Sequence, residues 1–130
     1  DELYCDIIHV NLFDHPKYEA LSYTWATYTW AYPEGDATPL KRIFCQGKYI
    51  PITSNCELAI RRLRQPVGKR IVWIDALCIN QSDVRERNHQ VSLMKQIYSS
   101  SVQTVVYLGE PYWTSDRAIA FFEGSNLENV

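Results

Sequence analysis

Asp75, Asn80, Glu86, Arg87 and Gln90 crowd into one stretch, WIDALCINQSDVRERNHQV, which runs from Trp73 to Val91. Carboxylates, amides and a guanidinium so close together serve one of two ends. They tie down a turn and cap a helix, or they line a polar site for a ligand. The stretch begins like a buried strand and ends like a helix, so its polar groups fall where a sheet feeds a helix.

On a wheel of ~100° per residue, Val84, Val91, Met94, Tyr98, Ile97 and Leu93 share one half of a helix over 83–99. Arg85, Asn88, His89, Ser92, Lys95, Gln96 and Ser99 take the solvent half. Glu86, Arg87 and Gln90 fall on the apolar half, near the helix start. Buried polar groups need partners or a wet cleft. In a parallel α/β unit this helix start lies at the carboxyl edge of its strand, where open sheets hold ligands. Asp75 and Asn80 belong to that edge. Ser22 and Trp25, at the end of the strand YEALSYTW, join them if the two strands are neighbours. Free N–H groups at the helix start favour an anion there. The same spacing also fits a framework. Asp83 and Glu86 stand three apart, as in a capping box, Arg87 is in reach of Asp75 or Glu86, and Asn80 and Gln81 suit a turn.

Other chemistry is poorly supported. The three histidines, His9, His15 and His89, show no metal or triad spacing. Ser22 lies outside any G-x-S-x-G elbow, and no phosphate-binding glycine loop is present. No two of the four cysteines, Cys5, Cys45, Cys56 and Cys78, have zinc-knuckle spacing,. Cys5, Cys45 and Cys78 sit in apolar runs that read as strands, so buried thiols are expected and no metal. The aromatic residues Trp25, Tyr28, Trp30 and Tyr32 can stack on a base or pack a loop down.

The elements that must position these residues alternate. LYCDIIHVNL reads as a strand, His15–Lys17 as a turn and YEALSYTW (18–25) as a strand. A loop with Pro33, Gly35, Asp36 and Pro39 follows. KRIFC and KYIPI flank Gln46-Gly47 as a hairpin. Ser54 and Glu57 suggest a capping box for a helix over 55–64, with Leu58, Ala59 and Leu63 inward. RIVWIDAL and QTVVYLG (103–109) are apolar runs of the kind seen in strands covered on both faces. A last helix begins near Ser115 or Asp116. The alternation predicts an α/β fold, an open and mainly parallel sheet flanked by helices, with the hairpin as an insertion.

The 130 residues suit one domain, 46% of them apolar,. Thirteen Lys and Arg against 15 Asp and Glu give a net charge of -2, which is no footprint for nucleic acid. No apolar run approaches the ~20 residues of a membrane span. No signal-peptide pattern opens the chain, and reduced thiols fit an intracellular protein. Both ends read as cut, so residues 1–130 are expected to be one domain of a longer protein.

YEALSYTW at 18–25, ITSNCELAIRRLR at 52–64 and VWIDALCINQSDVRERNHQVSLMKQIYSSSVQTVVYLGE at 72–110 together resemble the heterokaryon incompatibility (HET) domain of filamentous fungi. The blocks follow the family's order and cover most of the chain. Where the family usually has Gly after the tryptophan of SYxW, this chain has Ala26. The resemblance implies a cytoplasmic signalling module that brings about cell death on non-self recognition, through self-association or protein partners. It also implies a fold similar to Toll/interleukin-1-receptor (TIR) or flavodoxin-like domains. Some TIR domains cleave NAD at its nicotinamide bond with a glutamate. By that analogy NAD is a substrate, Glu86 the catalytic carboxylate, and Ser22, Trp25, Asp75, Asn80, Arg87 and Gln90 the ligand-binding set. Glu110 and Glu123 are rival positions for the glutamate.

Overall fold

A computed structural model of the chain describes residues 1–25, 35 and 37–109. The strands fall into two three-stranded sheets. In the first, β2 (Glu19–Tyr23) lies between β5 (Val72–Trp73) and β6 (Gln103–Tyr107), all parallel. Glu19 stands opposite Val72 and Gln103, and Tyr23 opposite Tyr107. Ala20 is 0% and Leu21 1% exposed. Successive strand residues face opposite ways, so β2 is covered on both faces.

On one face lies α3 (Val84–Ser99), whose Ile97 packs with Tyr18 and Ala20, and with Trp73, Leu93 and Tyr98. The Tyr18 hydroxyl donates to the Ile97 carbonyl, and that of Tyr98 to the Leu21 carbonyl at 3.1 Å. On the other face Leu21 joins Leu3, Ile43, Ile52, Cys56, Ala59 and Leu63. Those residues come from the second sheet, from Leu3 just before it, and from α1 (Ser54–Leu63).

The second sheet has the order β1 (Tyr4–Cys5), β3 (Lys41–Cys45), β4 (Lys48–Ile52). The expected hairpin is β3–β4, antiparallel, with Cys45 opposite Lys48. Gln46 (φ 50°) and Gly47 (φ 86°) both have positive φ, as a two-residue type I′ turn demands. The hairpin is not an insertion at the edge of the parallel sheet. It pairs through β3 with β1 and builds a sheet of its own. The architecture is therefore mixed α/β.

Three elements differ from their expected form. LYCDIIHVNL is strand only at Tyr4–Cys5, and a 3₁₀ turn forms at Leu12–Asp14. The α1 cap is Thr53, not Ser54. Its side chain accepts from the Cys56 N–H at 3.2 Å, while Glu57 pairs with Arg61 at 3.7 Å instead of reaching back. The buried stripe of α1 accordingly runs through Asn55, Cys56, Ala59 and Leu63, and Leu58 is only half-buried. RIVWIDAL is strand only at Val72–Trp73, then coils into a helical turn, α2 (Asp75–Cys78). The Cys78 N–H reaches the Ile74 carbonyl at 2.7 Å, and Asp75 bonds the Ala76 N–H at 2.8 Å. An apolar run of this length cannot tell a strand from a buried helical turn by periodicity. Cys78 therefore lies on a turn, not on a strand.

At the amino edge of the parallel sheet the Arg70 guanidinium grips both oxygens of Glu19, at 2.5 and 2.9 Å. It also donates to the Leu63 carbonyl at 2.6 Å, and Gln103 bonds Glu19 from β6. The end of α1 and the starts of three strands are thus held together. Among the described residues no helix is long and apolar enough to cross a membrane. Tyr28, Trp30, Tyr32, Glu110, Glu123 and the expected last helix lie outside the described residues.

Candidate functional site

Because β2 and β5 are parallel neighbours, Trp25 and Asp75 leave the sheet at the same edge. The Trp25 Nε1–H donates to Asp75 Oδ2 at 2.9 Å. The other oxygen, Oδ1, accepts from the Ala76 N–H. The Asp75 carbonyl accepts from the Ile79 N–H at 3.2 Å and from Gln81 Nε2 at 3.1 Å. Asp75 therefore starts α2, holds the loop after it and fixes the tryptophan. From the other side, Asn55 Nδ2 bonds the Thr24 carbonyl at 2.5 Å and Thr24 Oγ1 at 3.2 Å. Asn55 was missed in the sequence. Its signal was the one that flagged Glu86, a polar residue on the apolar arc of a helix.

The groups around this carboxylate are held neutral. Burial raises the Tyr23 hydroxyl well above the ordinary phenol range, with Cys56 and the Asp75 charge adding to it. That hydroxyl is buried and makes no hydrogen bond of normal geometry. Burial pushes the Cys56 thiol up to about 11, with the neighbouring Tyr23 hydroxyl opposing and the Asp75 charge adding to the rise. Burial also raises Cys78 and Tyr98, and the Asp75 charge adds to each. A thiol so far above neutrality is almost wholly protonated at physiological pH and so a slow nucleophile. What the edge offers is a carboxylate and an indole ring that is 37% exposed, able to stack on a planar group.

The start of α3 is a second, self-contained cluster. Glu86 Oε2 accepts from the Asn80 N–H at 3.2 Å, and Asn80 Oδ1 from the Ser82 N–H at 3.2 Å. Asp83 Oδ1 caps the helix through the Glu86 N–H at 3.1 Å. Two carboxylates, Asp83 and Glu86, therefore stand at the α3 start, where the sequence suggested an anion,. Arg87 is exposed and pairs with neither Asp75 nor Glu86, contrary to the framework reading. Its place on the inward arc is also corrected. Val84 and Val91, expected inside, are 58% and 55% exposed. Burial on α3 is confined to its second half, around Ile97, which packs on Tyr18 and Ala20 with Leu93 and Tyr98 beside it. Glu86 and Gln90 are half-buried.

Of the sequence-derived set, the structure joins Trp25 to Asp75 and Asn80 to Glu86, and Gln81 bridges from the loop between them. Ser22 stays on β2, opposite Val106. By strand alternation it shares the α3 face with Ala20, whereas Tyr23 takes the face of Cys56. Among the described residues no group of His, Cys, Asp and Glu is arranged to hold a metal. A cavity of about 500 Å³ lies elsewhere, between α1 and β6, lined by Leu21, Ala59, Leu63, Val105 and Tyr107 among others.

The profile of the family described as Heterokaryon incompatibility protein (HET) matches residues 18–128. A curated relative, "Heterokaryon incompatibility protein 6, OR allele" of Neurospora crassa, is 37% identical over 132 residues, which cover 92% of this chain and 18% of that protein. The chain thus spans about a fifth of that relative's length. No solved structure matches the chain.

Proposed function

The chain belongs to the heterokaryon incompatibility (HET) family, and from that membership we propose that it is a module of a longer fungal protein that acts in heterokaryon incompatibility. In this reading it signals or executes the cell death that follows fusion of unlike hyphae. It works in the cytoplasm by self-association or by binding protein partners. The observation that supports this mode is the edge of β6. Among the described residues β6 ends the parallel sheet. Val106 on β6, and Val102 and Leu108 just beyond its two ends, are 59%, 67% and 80% exposed. A strand at the end of a sheet, beside exposed apolar side chains, is a template for pairing with another chain.

The test is Val106→Glu. The side chain is exposed, so the charge leaves the core alone. The expected outcome is a folded chain, by circular dichroism, that sediments as a smaller species and no longer kills fungal cells expressing it. Full killing by the folded variant would sink this reading.

A second reading is favoured by the Trp25–Asp75 pair at the carboxyl edge. It takes the fold as TIR-like and the activity as cleavage of the nicotinamide–ribose bond of NAD. Trp25 stacks on a ring, Asp75 and Asn80 hold ribose hydroxyls, and Arg87 meets the diphosphate. Glu86 stabilises the positive charge that develops on the ribose, and Ser22 and Gln90 line the site. Nicotinamide release from NAD by the concentrated chain, absent in Glu86→Gln, is the outcome this reading requires. No release from a folded and clustered sample rejects it.

A further inference from the structure

Cys5, Cys45 and Cys78 come from three separate elements and converge. Cys5 and Cys45 are register partners in the parallel β1–β3 pair, so their side chains leave on the same face. The two thiols are thus neighbours, and each raises or is raised by the groups around it, Cys78 included. All are free thiols, Cys45 buried and Cys5 half-buried. Neighbouring strands lie ~4.8 Å apart, inside the ~4.4–6.8 Å window of Cα separations that a disulfide spans. Side chains of register partners stay about that far apart at Cβ, slightly beyond the ~3.5–4.5 Å a relaxed disulfide prefers. A bond here is therefore strained and easily reduced, which is the property of labile disulfides rather than structural ones.

We propose that Cys5 and Cys45 form a reversible redox staple that ties β1 to β3. The oxidant is a peroxide or a small-molecule disulfide. With peroxide, one sulfur attacks a peroxide oxygen, giving a sulfenic acid and one water. The second sulfur then displaces the hydroxyl as another water and closes the S–S bond. Two thiols lose two hydrogens and two electrons, and the peroxide is reduced to water. The staple closes slowly, because burial pushes the Cys5 thiol up to about 12 and little thiolate exists near neutrality. It records sustained oxidation instead of sensing brief pulses. Its structural effect falls on β1, which has only two paired residues and gains a covalent tie, while the chain between β1 and β3 becomes a closed loop.

The test uses the 130-residue chain, treated with hydrogen peroxide or oxidised glutathione, then alkylated under denaturing conditions and mapped by mass spectrometry. The expected result is a single cross-linked peptide joining Cys5 to Cys45, with Cys56 and Cys78 alkylated. The melting temperature rises by several degrees, and dithiothreitol reverses both effects. Cys5→Ser removes the cross-link with its fold checked by circular dichroism, and Cys56→Ser retains it. Four alkylated thiols after oxidation would overturn the proposal. So would a cross-link through Cys78 or Cys56, or over-oxidation of Cys5 without a cross-link.

Discussion

The indole N–H of Trp25 donates to Asp75 Oδ2 at 2.9 Å across a separation of 50 residues. That bond joins the ends of β2 and β5 beyond their last paired residues, Ala20 and Trp73. The two-residue β5 is too short to hold this edge by its ladder alone, so a side-chain bond extends the sheet where its backbone pairing stops. Trp25→Phe removes the donor and keeps a ring. It should cost about 1 kcal/mol in a urea melt, the net value of an ordinary hydrogen bond, since this one is exposed to solvent,. Asp75→Asn should cost more, because it also disturbs the start of α2. Combined, the two changes should cost less than their sum. Strict additivity would show that the bond carries no stability.

The opposite edge answers to pH. Arg70, then Gln103, bond Glu19 and lower its carboxyl to about 2. The folded value lies below the ordinary one of 4.5, so the stability it contributes is fully present above that range. It is lost as pH falls toward about 2. Glu19→Gln should destabilise the chain by roughly 1–3 kcal/mol at pH 7. The difference from wild type should shrink steadily between the ordinary carboxylate range and about pH 2. Chemical denaturation across that window measures it, and a gap that stays constant would show that the ion pair is not the cause.

The hairpin turn isolates a backbone effect. Gly47 sits at φ +86°, and a Cβ placed there meets nothing within 4 Å. Gly47→Ala should therefore cost about 1 kcal/mol through the left-handed conformation alone. Gln46→Asn, at φ 50°, suits that region better but shortens the side chain that donates to the Ile7 carbonyl at 3.0 Å, so the two effects should offset. A lowered melting temperature for Gly47→Ala beside a nearly unchanged one for Gln46→Asn is the expected outcome.

These elements differ in how well the sequence announced them. Gln46-Gly47 between two apolar runs is a local signal, and the hairpin followed from it. The closeness of Trp25 and Asp75 followed from two parallel strands sharing an edge, a topological argument that needed no side-chain detail. The α2 turn was hidden, because VWIDAL has the length and apolarity of a strand and its coil depends on Asp75 bonding its own neighbour N–H. Asn55 was hidden because its partner, Thr24, lies far off in sequence, just past the end of β2. The wheel misplaced Val84, Val91 and Arg87 for a different reason. Periodicity gives the arc of a helix but not how far along its length the core extends, and burial on α3 is confined to its second half.

Arg87 and Glu86 separate framework from function at the start of α3. The Arg87 side chain is exposed and makes no ion pair or hydrogen bond among the described residues, so Arg87→Ala should change stability by less than about 0.5 kcal/mol. Glu86→Ala should cost about 1–2 kcal/mol, because it strips the acceptor from the Asn80 N–H,. Glu86→Gln keeps an acceptor oxygen at that place and should recover most of the loss. The three variants are compared by denaturant melts and by killing in cells. If killing tracks stability, the cluster is a framework and nothing more. If the stable Arg87→Ala chain fails to kill, the guanidinium meets a ligand or partner that the fold itself does not supply. If Glu86→Gln fails while folded, the negative charge is what the function requires, since the shape and the hydrogen bond survive the exchange.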